Sequence, residues 1–230
     1  MNTREKKFNI VLKSIEHREI CSLISPLSIG NFVEIIQGGY SLNVSPKNPQ
    51  LHLCLGCTPP ADKTDADFIV ADPYELPLEP ESIDMALLTH VLEFVEKPQL
   101  ILREIYQTLA PQGLLYVLGF NPFSLLGLSR YFYTHNKQWP YTGKFLSIPK
   151  VLKDARRVGY GVLHFKTFAF YYSTRHAQLN ERLLFLEPLG QFIVPGCGGI
   201  YCIVLQKNIL GTIRTRAKKE KAVNTVDSYV

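Results

Sequence analysis

The feature that most restricts this chain is an alternation of strand, helix and strand between residues 68 and 119. Phe68-Ile69-Val70-Ala71 is a continuous apolar run ending at Asp72, and Ile83–Leu88 is another apolar strand. After Lys97-Pro98, the residues Leu100, Ile101, Glu104, Ile105, Thr108 and Leu109 trace one face of a helix. Pro111-Gln112-Gly113 stops that helix, and Leu114–Gly119 returns as a strand. Unbroken apolar strands joined by helices and short turns are what a parallel sheet buried on both faces requires.

The flanking segments predict more of the same layering. Glu16–Leu23 predicts a short helix, and Leu27–Gly30, Tyr40–Val44 and Leu51–Leu55 predict short strands. Asn121 as a cap with Pro122 at the first helical position predicts a helix to Arg130. Pro149–Val158 reads as a basic helix stopped by Gly159, with Val162–Tyr172 and Ile200–Leu205 as strands. Tyr131–Gly143 reads as a loop, Ser173–Asn180 as a mobile stretch and 207–230 as a disordered basic tail.

One segment carries far more information than the others. It runs Asp72-Pro-Tyr-Glu-Leu-Pro-Leu-Glu-Pro-Glu-Ser-Ile-Asp84 and on through Thr89-His90-Val-Leu-Glu93-Phe-Val-Glu-Lys-Pro98. Leu102-Arg103-Glu104-Ile105 and Leu109-Ala-Pro-Gln-Gly113 follow in order. This succession resembles the middle of class I S-adenosylmethionine-dependent methyltransferases of the type 11 kind. Gly119-Phe-Asn-Pro-Phe-Ser-Leu-Leu-Gly-Leu128 looks like a phrase of small bacterial members of that group.

The resemblance implies a Rossmann-like, mostly parallel sheet with an antiparallel C-terminal strand and helices on both faces. It implies a single domain over 1–206, with a cofactor half (1–120) and a substrate or cap half (121–206). The implied cofactor is S-adenosylmethionine, and the implied contacts are Gly30, Asn43, Asp72, Tyr74 and His90. Asp72 would take the adenine edge, and His90 would lie near the methionine part or the substrate mouth. Asp84 opens its strand at the opposite end of the sheet and reads as structural. Arg103 and Glu104 read as a solvated or salt-bridged pair.

Three departures from the family pattern are visible in the chain. Where the family has a glycine-rich turn after its first strand, only Gly30 matches, and twelve residues to Asn43 leave little room for a crossover helix. Neutral Asn43 stands where the family grips the ribose with an acid, a weaker acceptor than a carboxylate. Pro73 lacks the backbone N–H that the family turns toward adenine.

The net charge of +5 invites a nucleic-acid reading until it is divided along the chain. Residues 1–120 carry 9 basic and 15 acidic groups, 121–206 carry 10 and 3, and 207–230 carry 6 and 2. An acidic first half suits a cofactor with a sulfonium charge. Sixteen of the 26 aromatic residues lie in 121–206, including Tyr131, Trp139, Tyr171 and Tyr172, so that half suits an anionic or planar acceptor. Methyl transfer needs orientation rather than a particular base, so His135, Tyr171 and His176 are candidates by position alone. The acceptor is not readable, and no catalytic residue is assigned.

Five cysteines, an odd number, argue against a disulfide framework and suit a cytoplasmic setting. Cys54-Leu-Gly-Cys57 lacks both the following helix of a redox motif and a second pair of zinc ligands, so no metal is expected. No apolar run reaches membrane-spanning length and the N-terminus lacks signal-peptide character, so no membrane partner is expected. Asn121-Pro122-Phe123 and Asp72-Pro73-Tyr74 faintly resemble the proline loop of nucleobase amine methyltransferases, but the second proline is missing. No nucleic-acid partner is expected. The competing reading is a methyltransferase-like interaction or regulatory protein without catalysis.

Overall fold

The computed structural model describes residues 3–132, 142–170 and 196–208. The elements follow as α1 (Thr3–Ile24), β1 (Asn31–Ile36), β2 (Leu51–Gly56), β3 (Asp67–Val70), β4 (Ile83–Thr89) and α2 (Pro98–Thr108). The remainder are β5 (Leu109–Phe120), α3 (Leu125–Phe132), α4 (Ile148–Val158), β6 (Tyr160–Phe168) and β7 (Ile200–Lys207). Tyr133, His135, Trp139, Tyr141, Tyr171, Tyr172, His176 and the tail beyond Asn208 lie outside the described residues.

Among the described residues, seven strands form one sheet in the order β3-β2-β1-β4-β5-β7-β6. Strands β1 to β5 pair in parallel, and β7 runs against both of its neighbours. This is the class I methyltransferase arrangement, a Rossmann-like sheet with a reversed C-terminal strand. Successive strand residues point to opposite faces, so the sheet builds two cores. Val33, Ile35, Ala86, Leu88, Leu115 and Val117 pack against α2 and α4. Phe32, Met85, Leu87, Tyr116, Leu118 and Phe120 pack against α1 and Leu126 of α3. Among the described residues, no helix is long and apolar enough to cross a membrane.

The N-terminal third differs from the sequence expectation. Leu27–Gly30 is not a strand; Ser28 makes a single bridge to Lys47, and the first strand begins at Asn31. Tyr40–Val44 is not a strand either, so the second strand is Leu51–Gly56. No helix lies between β1 and β2, whose connection runs over 37–50 rather than the Gly30–Asn43 interval read from sequence. That face is covered instead by α1, a 22-residue helix far longer than expected. Its Leu12, Ile15, Ile20 and Ile24 are buried with Phe32, Leu42 and Val44. A helix that precedes the sheet thus takes up the space left by the missing crossover helix.

Asn121 does not cap a helix beginning at Pro122. Its Oδ1 accepts the N–H of Phe123 at 3.0 Å, while its Nδ2 donates to the carbonyls of Gly196 and Gly198. Ser124 does the capping: its Oγ accepts the N–H of Gly127 at 2.9 Å, and α3 starts at Leu125. Asn121 instead fastens the end of β5 to the turn that opens β7.

Candidate functional site

The strand order reverses between β1 and β4, and their carboxyl ends part there to leave a crevice. A cleft of about 520 Å³ opens at this edge, a volume suited to a nucleoside-sized ligand. Its wall contains Gln37 beyond β1, Cys57 beyond β2, Asp72 to Tyr74 beyond β3, and Phe94 to Lys97 beyond β4. Leu100, in the first turn of α2, completes the apolar side.

Asp72 is exposed in this cleft. Its Oδ1 accepts the backbone N–H of Tyr74 at 2.9 Å, which holds the carboxylate in place and leaves Oδ2 for a ligand. The Tyr74 hydroxyl accepts the N–H of Lys97 at 3.1 Å and so joins the β3 loop to the start of α2. Cys57 is exposed, and its thiol leans toward the carbonyl of Ala71 at 3.5 Å. A carboxylate acceptor, two aromatic rings and an apolar floor fit an adenosyl group. Beyond the second strand the cleft wall holds a cysteine, Cys57, rather than an acid.

The turn after β1 contains Gly38 and Gly39, with φ of 63° and 75°. Glycine is needed at Gly39 for a second reason: a Cβ there would stand 2.6 Å from the carbonyl oxygen of Pro59. Gly38 faces open space. The glycine turn at the carboxyl end of the first strand is therefore Gly38-Gly39. Gly30 precedes β1 at the opposite end of the sheet, where a Cβ would crowd Asp84 Oδ2 at 2.9 Å. Asp84 accepts the N–H of Asn31 at 2.8 Å, the structural role read for it from sequence.

Asn43 is also away from the cleft wall. With β2 at Leu51–Gly56, the residue just beyond the second strand is Cys57, and Asn43 lies in the β1–β2 connection with φ of 51°. Its Oδ1 is taken by the Thr64 hydroxyl at 2.9 Å and the Asp65 N–H at 3.1 Å. Asp72 and Tyr74 are brought together in the cleft; Gly30, Asn43 and His90 are not part of its wall.

His90 lies directly beyond β4 but is fully buried, in a left-handed backbone conformation with φ of 54°. Its Nε2 is 2.9 Å from Glu16 of α1, and its Nδ1 is 3.4 Å from Glu93. Burial opposes the imidazolium charge, but the adjacent Glu16 carboxylate and the bonds to both acids push its pKa up to about 9. Tyr40 donates to the other oxygen of Glu16 at 2.5 Å, and its ring meets His90 edge-on. Phe120 stacks on the imidazole at 4.0 Å between centroids.

A second buried acid holds the glycine turn from below. Glu34 of β1 accepts from the Ser41 hydroxyl at 2.7 Å, the Leu42 N–H at 2.9 Å and the Thr89 hydroxyl at 2.8 Å. Burial raises its pKa in spite of these bonds. The same burial, with Glu34 nearby, pushes the Cys54 thiol up to about 12, which leaves that cysteine inert. Glu16, Glu34, Gln37 and Glu93 were given no site role from sequence, and Cys57 was weighed only as half of a CxxC pair. The signal for Glu93 was its place three residues after His90; for Cys57 it was a strand end misplaced by one strand.

Residues 29–117 match the protein family described as Methyltransferase domain. The uncharacterized protein YafS of Escherichia coli K12 is 28% identical over 153 residues, which is 66% of this chain and 60% of that one. The chain thus spans less than two thirds of this relative's own length. Among solved structures, a complex of the Haloferax volcanii Trm112 methyltransferase activator with a methyltransferase gives a TM-score of 0.59 at 18% identity, covering 84% of this chain and 90% of that one. An S-adenosylmethionine-dependent methyltransferase of Thermotoga maritima gives 0.55 at 19% identity, covering 88% and 99%. These likenesses show the shared fold. Residues 29–117, less than half of the chain, thus resemble a methyltransferase domain, and the strand order is that of the class I methyltransferase fold.

Proposed function

We propose that this protein binds S-adenosylmethionine in the cleft beyond β1 to β4 and transfers its methyl group to an acceptor bound beside it. The observation that carries this reading is Asp72, held by the Tyr74 N–H with one carboxylate oxygen free toward the cleft. Asp72 accepts a hydrogen bond from the adenine amine, and Tyr74, Phe94 and Leu100 enclose the ring system. Gln37 and the open turn at Gly38 face the amino-acid portion. The bound cofactor supplies a methyl group already activated on a sulfonium, so the protein's share is alignment and exclusion of water. The acidic balance of residues 1–120 favours that positive charge.

Cys57 and Pro73 favour a second reading, a methyltransferase-like protein that binds the nucleoside without transferring anything. A neutral thiol and a missing N–H cost two polar contacts, each about 0.5–1.5 kcal/mol. Incubating the purified full chain with methyl-labelled S-adenosylmethionine and a cell extract separates the two. Transfer predicts label in an extract component, lost in Asp72→Ala; label retained only in the donor supports binding alone.

A further inference from the structure

The described segment 142–170 carries six basic residues and one acid, Asp154. Asp154 is buried, so no exposed acid of that segment balances its cations. Four of them, Lys150, Lys153, Arg156 and Arg157, lie on α4. Lys150 and Arg157 share the Asp154 carboxylate at 3.8 and 3.7 Å, and Gln99 of α2 reaches its Oδ1 at 3.4 Å. Lys153 and Arg156 are exposed and have no acidic partner among the described residues.

Helical spacing sorts these side chains onto two faces. Val151, Asp154 and Ala155 form the buried one. Pro149, Leu152, Lys153, Arg156 and Arg157, at i, i+3, i+4, i+7 and i+8, form the outer one. A cavity of about 470 Å³ lies against this outer face, and among the described residues these five line it. Pro149 and Leu152 make its apolar end, toward the start of α4, and the three cations make the other. Like charges three and four residues apart repel and weaken a helix, so an anion set against them removes that repulsion. The face begins on the cleft side of the sheet: in the segment entering α4, the Lys144 N–H donates to the Glu93 carbonyl at 2.6 Å, beside Phe94 of the cleft wall.

The three cations call for an anion, and the apolar end calls for an apolar group on the same ligand. A single nucleic-acid strand is held by stacking on aromatic rings, and among the described residues none lines this cavity. An anionic bilayer is held by apolar side chains that insert into it, whereas Leu152 is half-buried against the core. An acidic polypeptide supplies both groups. Its carboxylates match the planar forks of the two guanidinium groups, and an apolar side chain beside them covers Pro149 and Leu152.

We propose that the outer face of α4 docks an acidic segment of a partner protein, with carboxylates on Lys153, Arg156 and Arg157 and an apolar residue on Pro149 and Leu152. From Pro149 to Arg156 the helix rises about 11 Å, the span of roughly three residues of extended chain. The recognised element is therefore short, an apolar residue with acids close beside it. This docking needs no cofactor and does not rest on the methyl-transfer reading.

The test is binding of the full chain, at physiological ionic strength, to a random glutamate–tyrosine copolymer and to poly-glutamate, with poly-uridylate and phosphatidylserine vesicles beside them. Saturable binding of both polypeptides, tighter for the copolymer, is the expected result. Lys153→Gln combined with Arg156→Gln should weaken it about five- to tenfold. Neither side chain has an acid to lose, so this double variant should melt with the parent. Lys218→Gln combined with Lys219→Gln, in the basic C-terminal sequence, should leave the affinity unchanged. No binding of the copolymer, an unchanged affinity in the α4 variant, or an equal loss in the C-terminal variant overturns the site. Equal affinity for the two polypeptides overturns the apolar anchor. Tighter binding of poly-uridylate or of the vesicles, lost in the α4 variant, overturns the protein partner in favour of a phosphate-bearing one.

Discussion

Glu16 Oε1 of α1 lies 2.9 Å from His90 Nε2 at the end of β4, and both side chains are shielded from solvent. The two residues are 74 positions apart, and this contact fixes α1 over the edge of the sheet that opens the cleft. Tyr40 bonds the same acid, His17 bonds the Leu42 carbonyl, and Lys13 pairs with Asp62 beyond β2. The helix is therefore tied to the loops after β1, β2 and β4 at once.

Breaking this pair should be severe. Glu16→Ala leaves a buried imidazolium with one acid fewer, a change of about 3–5 kcal/mol. Urea unfolding should show the midpoint falling with the slope preserved. A loss below about 1 kcal/mol would mean that α1 is held by its apolar face alone.

The same pair predicts a pH dependence. His90 holds its proton more tightly folded, at about 9 against 6.5 for the ordinary residue. Its contribution, up to about 3 kcal/mol, is complete below pH 6.5 and is lost as pH rises through 9. Stability should therefore decline across that window. His90→Asn, suited to the left-handed backbone, should be less stable at pH 6 but decline less steeply. An identical slope in the variant would place the titration elsewhere.

Much of this architecture is legible in the chain, and the failures have physical causes. The strands at 68–71, 83–88 and 114–119 stand out because they are predominantly apolar, with Asp84 only at the start of its run, and α2 because its face repeats with helical spacing. The first strand does not, because Asn31-Phe-Val-Glu-Ile-Ile36 contains a buried acid that reads as solvent-facing. Glu34 is tolerated there only because Ser41, Leu42 and Thr89, distant or later in sequence, supply its bonds. That single misreading moved the glycine turn to Gly30 and the second strand to Tyr40–Val44, and so put Asn43 at the end of the second strand, where the structure has Cys57. The place of Asp72 and Tyr74 beyond a strand's carboxyl end was legible because that strand was.

Cys57 gives a prediction in the direction of gain. If the ribose lies beyond β2, Cys57→Asp supplies a charged acceptor for its hydroxyls, worth about 1.5–3 kcal/mol for a hydrogen bond to a charged group. S-adenosylhomocysteine should then bind roughly tenfold more tightly or better. A weaker or unchanged affinity would put the ribose elsewhere.

Gly39→Ala should disturb the turn without touching the cleft wall. The backbone φ of 75° and the Pro59 carbonyl 2.6 Å from the new Cβ both oppose it. A loss of about 1–3 kcal/mol is expected in thermal or urea unfolding. Gly38→Ala, at a similar φ but in open space, should cost less. Equal losses would show that backbone strain alone sets the cost.

The central claim is that Asp72 holds the adenosyl group of S-adenosylmethionine in the cleft between β1 and β4. Calorimetric titration of the full chain with S-adenosylhomocysteine, beside Asp72→Ala, tests it most directly. The account predicts saturable binding to the parent and an affinity about ten- to a hundredfold weaker in the variant, from the loss of one charged hydrogen bond. No binding at millimolar ligand, or equal affinity in the two proteins, would contradict it.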